Sequence, residues 1–284
     1  MFRLHVIGFL LLSLRKSFQL TSNRKKSFIV FSPTSLTPIS SRDDRKVSSC
    51  YWGTRLYQSI DAFDFSSKYG WETFYQTGGN STKLDGINKD TENPIPFEYE
   101  WHASINAEKV ISEVFPGSSV LMIGTGNSAL PRHLYKHHNG QGLDDKCGQL
   151  TNITCMDYSS SCISMLEELF SKDCPGMKFV HGDATKLCSL FQSEKFDFII
   201  DKGLMDALMC GEGWDWTVES YLKGAASILK SKESNGKIIL ISYKLSSATK
   251  QFLIDMGDKF GLKWNLDMEK KSNDKVSFSI ATKL

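Results

Sequence analysis

Short apolar runs alternate with amphipathic stretches through most of the chain. Val120-Leu121-Met122-Ile123 is a continuous apolar run and predicts a strand buried on both faces. Similar runs predict strands over 153–156, 177–180, 196–200, 237–243, 263–266 and 276–281; the fourth is apolar except at Asp197. Helical spacing of apolar positions fills 101–115, 127–138, 160–170, 216–229 and 247–260. Pro116-Gly117 stops the first of these helices, and Ser160 or Ser161 is a fitting N-cap for the third. Strands alternating with helices predict an α/β fold, a doubly wound parallel sheet with helices on both faces. The last two strands have no long helix between them, which predicts an antiparallel hairpin at the end. Ligands on such sheets bind beyond the carboxyl ends of the strands, near the point where the winding reverses.

The remaining segments read differently. Residues 51–100 are aromatic and polar, and 80–93 predicts a loop. Residues 139–150 are polar and predict a surface insertion between strand one and strand two. The chain has 284 residues, enough for one sizeable α/β domain with appendages. Charge is uneven along it. Residues 1–50 hold nine Lys or Arg against two acids, whereas the rest holds 25 against 30. A slightly acidic folded part does not read as a general nucleic-acid binder. The basic, Ser/Thr-containing start predicts a disordered targeting segment over 1–50, with a mitochondrial address first and plastid or cytoplasm as alternatives. The apolar run 6–14 is too short to span a bilayer but has the length of a secretory core, so a secretory start also stays open. No stable membrane insertion is expected. Seven cysteines at irregular spacing, without a C-x-x-C pair, predict reduced packing residues and no metal site.

The chemistry-bearing residues cluster after the first four strands. Gly124-Thr125-Gly126 follows strand one; glycines there let the backbone turn sharply and approach a ligand. The third glycine of the dinucleotide fingerprint is missing, so no pyrophosphate cradle is expected. Asp157-Tyr158 follows strand two, where an acid can accept from ribose hydroxyls or simply cap the next helix. Asp183-Ala184 follows strand three, where an acid can accept from an adenine amino group or stabilise a turn. Asp201-Lys202-Gly203-Leu204-Met205-Asp206 follows strand four; its charges either serve a site or pair with each other.

Four runs carry a family resemblance: VLMIGTGNSAL at 120–130, MDYSSSCISML at 156–166, GDAT at 182–185 and FDFIIDKGLMDAL at 196–208. Together they resemble the methyltransferase-like proteins that modify lysines, which include enzymes acting on the translation elongation factor alpha subunit and on citrate synthase. That group has G-C-G-N-S, D-Y-S and D-K-G-T-L-D motifs; here Thr125 stands for the cysteine, and Met205 departs from the last motif. Trp71-Glu72-Thr73-Phe74-Tyr75 is similar to the group's W-x-x-x-Y motif and Tyr99-Glu100-Trp101 to its Y-D-W motif. The resemblance runs over 68–245.

The resemblance implies a Rossmann-like seven-stranded methyltransferase sheet, with a helical and aromatic cap over 51–117 and the core over 118–284. It implies S-adenosyl-L-methionine as cofactor, held by Trp71, Tyr75, Trp101, Gly124, Gly126, Asp157, Tyr158, Asp183, Ala184 and Lys202. Aromatic faces suit the sulfonium through cation–π attraction. The implied partner is a protein substrate presenting a lysine. Asp201 is the expected acceptor orienting the lysine nucleophile, with Asp206 orienting the loop. A small-molecule methyltransferase and a non-catalytic cofactor-binding scaffold remain open.

Overall fold

The computed structural model describes residues 64–76, 100–139, 151–192, 195–268 and 275–284. The expectations for the targeting segment 1–50, the loop 80–93, Tyr99 and most of the insertion 139–150 lie outside these residues.

The elements, in chain order, are α1 (Lys68–Gln76), α2 (Ala107–Ile111), β1 (Ser119–Ile123), α3 (Leu130–Asn139), β2 (Asn152–Asp157) and α4 (Ser160–Phe170). Then come β3 (Lys178–His181), a 3-10 turn (Ala184–Lys186), α5 (Leu187–Phe191), β4 (Phe198–Lys202), α6 (Leu204–Met209) and α7 (Trp214–Ile228). A second 3-10 turn (Lys232–Ser234), β5 (Lys237–Tyr243), α8 (Ser247–Phe260), β6 (Leu262–Asn265) and β7 (Val276–Lys283) complete the order. The seven strands form one sheet in the order β3-β2-β1-β4-β5-β7-β6. β1 to β5 run parallel, and β7 runs antiparallel to both β5 and β6, as the closing hairpin predicts.

The continuous apolar strands are explained by helices on both faces. Val120 and Met122 of β1 join one core cluster with Leu134, Leu166 and Phe170 from α3 and α4. Leu121 and Ile123 join the other with Leu187, Val218, Leu222 and Leu253 from α5, α7 and α8. Strand alternation thus sends neighbouring residues into two separate cores. β1 lies between β2 and β4, and Ile123 is level with both Met156 and Asp201. The winding reverses between β1 and β4, so the ends of these strands open onto one crevice.

Two predicted helices are shorter than expected. The helix predicted over 101–115 is confined to Ala107–Ile111, where the Asn106 side chain accepts from the Lys109 N–H at 3.0 Å. Before it, the chain turns through Trp101 and His102, and His102 takes a positive φ of 57°. The helix predicted from 127 starts at Leu130, because the loop first turns and Ser128 Oγ accepts the Leu130 N–H at 3.1 Å. Short α5 and α6 escape the periodicity. Cys155, Cys162 and Cys174 are buried free thiols, and burial pushes the Cys155 thiol up.

Candidate functional site

A cavity of about 470 Å³ opens beyond the carboxyl ends of the parallel strands. Gly124 and Gly126 form its floor after β1, with φ of 59° and 57°. A Cβ on Gly124 would lie 2.7 Å from Leu204 Cβ, so α6 packs directly on this glycine. Thr125 turns inward and donates to the Met122 carbonyl at 3.0 Å, so a hydrogen-bonded hydroxyl fills the position between the two glycines.

Asp157, buried at the end of β2, fastens the glycine loop. Its Oδ2 accepts the Gly126 N–H and its Oδ1 the Ser159 N–H, both at 2.9 Å. Burial pushes its carboxyl above the ordinary value, against the N–H groups of Ser159, Gly126 and Tyr158 that favour the ion. Each oxygen keeps a lone pair for a further donor.

Asp183 begins the 3-10 turn after β3. Its Oδ1 accepts the Thr185 N–H at 2.9 Å and the Thr185 hydroxyl at 2.8 Å, while Oδ2 pairs with Lys68 at 2.5 Å. Burial acts to raise this carboxyl, but Lys68 and Thr185 outweigh it and hold it below its usual value. The Lys68 ammonium also lies 4.4 Å from the Tyr158 ring centroid.

α1 closes the cavity from the cap side. Its Glu72 accepts the Ser161 hydroxyl at 2.7 Å and the Ser160 hydroxyl at 3.1 Å, at the start of α4, where the helix dipole favours an anion. Burial acts to raise the Glu72 carboxyl, yet hydroxyls of Ser159, Ser161 and Ser160 and the Ser161 N–H lower it to about 2. Trp71 stacks on Tyr75 at 6.2 Å and meets Trp101 edge-on at 6.0 Å, and its indole N–H donates to the Phe65 carbonyl at 2.9 Å.

All ten residues expected to hold the cofactor line this one cavity: Trp71, Tyr75 and Trp101 from the cap, Gly124, Gly126, Asp157 and Tyr158 from β1 and β2, and Asp183, Ala184 and Lys202 from β3 and β4. Lys202, almost buried, is paired with Glu100. The Glu100 carboxylate also accepts the Ser128 hydroxyl at 2.8 Å and the Ala129 N–H at 2.7 Å.

Neither Asp201, the expected acceptor for the nucleophile, nor Asp206, expected to orient the loop, lines the cavity. Alternation along β4 turns Asp201 to the face opposite Lys202. There it is fully buried and accepts the N–H groups of Leu204 at 2.9 Å and Met205 at 3.2 Å, starting α6. Burial pushes its carboxyl up to about 7, opposed by the Tyr221 hydroxyl and the Met205 N–H and reinforced by the Asp206 charge. Asp206 Oδ2 lies 2.9 Å from His102 Nε2 and 3.2 Å from the Tyr243 N–H, and so ties α6 to the cap and to β5. Glu72, Glu100, Lys68 and His102 went unassigned in the sequence. Glu72 and Glu100 stand inside the two aromatic motifs, and that was their only signal.

No protein-family model matches the chain. Over 161 residues it is 30% identical to a Drosophila melanogaster protein named eEF1A lysine and N-terminal methyltransferase homolog, covering 55% of this chain and 21% of that protein. It is 28% identical to EEF1A lysine methyltransferase 4 of Mus musculus, covering 43% of each. The chain thus spans less than half the length of these relatives. Among solved structures, magnesium protoporphyrin IX methyltransferase from Synechocystis with bound SAM superposes with a TM-score of 0.50 at 14% identity, covering 79% of this chain and 99% of that one. This chain therefore carries the class I S-adenosylmethionine-dependent methyltransferase fold and is a homologue of proteins named as eEF1A lysine methyltransferases.

Proposed function

We propose that the chain is an S-adenosylmethionine-dependent methyltransferase that methylates lysine side chains of a protein, with an eEF1A-type elongation factor as the first substrate to test. The observation that carries this reading is the convergence of all ten expected cofactor residues on one cavity at the strand ends.

The cavity's groups suit this cofactor one by one. The left-handed glycines leave room where a Cβ would collide. Asp157, fixed by two backbone donors, presents its remaining lone pairs to ribose hydroxyls. Asp183 offers a carboxylate to an adenine amino group. The faces of Trp71, Tyr75 and Trp101 favour a cation. S-adenosylmethionine, when bound, supplies a methyl carbon made electrophilic by its sulfonium. The protein's share is to hold that methyl and the acceptor amine in line, which supplies much of the rate. Withdrawal of the acceptor lysine from water disfavours its protonated form and so favours the nucleophilic amine.

The test is calorimetric titration of the full chain with S-adenosylmethionine, alongside Asp157→Ala. Wild-type binding in the micromolar range, on the order of −8 kcal/mol, with loss in the variant is the expected result. Labelled donor should then mark purified elongation factor on lysine. Label confined to small molecules in an extract would move the reading to a metabolite methyltransferase, and absence of cofactor binding would overturn it. We also propose a mitochondrial address on the basic composition of 1–50; a fluorescent fusion of that segment that stays outside mitochondria would reject it.

A further inference from the structure

The pairing of Lys202 with Glu100 has a use beyond holding the cap. Lys202 lines the cavity with its side chain only 8% exposed. An ammonium in such a place costs much unless it is compensated. Glu100 compensates it, and Glu100 is not a mobile surface partner. Its two oxygens accept from the Ser128 hydroxyl at 2.8 and 3.0 Å and from the Ala129 N–H at 2.7 Å, at the start of α3. Those donors pin the carboxylate between the glycine loop and the end of β4.

The proposed cofactor brings a second positive charge into this cavity, on its sulfur. A lysine lining the same space repels that charge unless an anion cancels it, and low-dielectric surroundings magnify the repulsion. The by-product, S-adenosylhomocysteine, has a neutral thioether and feels no such repulsion. We propose that Glu100 is a positioning residue that cancels the Lys202 charge, so that the site accepts the sulfonium form and does not discriminate in favour of the spent thioether. This inference rests on the cofactor reading above.

The discriminating quantity is the ratio of the two dissociation constants, S-adenosylmethionine over S-adenosylhomocysteine, measured by calorimetry on the full chain. A general loosening of the fold weakens both ligands and leaves the ratio alone. Glu100→Gln keeps the shape and removes the charge; the ratio should rise about tenfold or more, through loss of the sulfonium ligand. The double variant Glu100→Gln with Lys202→Met removes both charges and should return the ratio to near the wild-type value, even if both affinities fall. An unchanged ratio in the single variant overturns the inference, and so does a ratio that stays high in the double variant. Wild-type protein that binds neither ligand overturns the cofactor reading and this inference with it, an outcome read from the wild-type arm alone.

Discussion

Tyr75 of the cap reaches the glycine loop so closely that a Cβ built on Gly126 would lie 2.8 Å from its hydroxyl oxygen. The contact joins two sequence segments 51 positions apart, and it explains why residue 126 must be glycine twice over. Its φ of 57° disfavours any L side chain by roughly 1–2 kcal/mol. The space above it is already taken.

Gly126→Ala should therefore push Tyr75 away from the loop and weaken S-adenosylmethionine binding by about tenfold, given the strain alone. Adding Tyr75→Phe removes the colliding oxygen and should recover part, not all, of that loss. Calorimetry on the two single variants and the double reads the coupling. Simple additivity of the two effects would mean that the close approach has no energetic weight.

Asp157 gives a second prediction, because its oxygens each accept a backbone N–H inside the protein. Asp157→Asn keeps the size but turns an amide N–H₂ toward one of those donors, leaving a buried N–H without its acceptor. The cost should be about 1–3 kcal/mol in urea unfolding, accompanied by loss of cofactor binding. Wild-type stability in this variant would show that the loop does not depend on the carboxylate.

The strands were legible in the sequence to within about two residues at each end, because continuous apolar runs have one explanation in a sheet covered on both faces. The run at 237–243 matches β5 (Lys237–Tyr243), and the closing antiparallel pair was visible from the missing helix. The cavity-lining residues after β1, β2 and β3 were legible because three short motifs fell at three strand ends. The placement of the Asp201 side chain was not. β4 extends through Lys202, so Asp201 is a strand residue facing the core of α6 and α7 and not a loop residue facing a ligand. One residue of register decides which charge meets the cavity. The clasps at Lys68, Glu72 and Glu100 span 115, 89 and 102 positions, distances over which no local pattern carries information.

The Glu72 clasp makes a prediction about the cap. Its folded carboxyl titrates near 2, against an ordinary value of 4.5. Its contribution is therefore fully present above about 4.5 and fades as pH falls through 2. Glu72→Gln should lack that acid-limb component of unfolding. At neutral pH it should lower stability by about 1–3 kcal/mol, the scale of hydrogen bonds to a charged group, while cofactor dissociation in stopped-flow becomes several times faster because α1 is less firmly tied. An unchanged dissociation rate would show that α1 does not control cofactor exit.

Asp201 behaves in the opposite sense. Its folded carboxyl titrates at about 7, against an ordinary value of 3.8. Between those values the folded chain holds a proton that the unfolded chain has released. Stability from this group is thus present below about 3.8 and is lost as pH rises toward 7, after which it is flat. Asp201→Asn removes the titration and keeps one oxygen to accept the Leu204 and Met205 N–H groups. The variant should show a flatter stability profile between pH 4 and 7 and equal or greater stability than wild type at pH 8, by chemical denaturation across a pH series. Because Asp201 lies off the cavity, cofactor affinity and turnover should both remain within about twofold of wild type, well under the roughly 1.4 kcal/mol that a tenfold change represents. A large fall in turnover with normal affinity and stability would return Asp201 to the reacting centre, and would require a movement of β4 relative to α6 that exposes its carboxylate to the substrate.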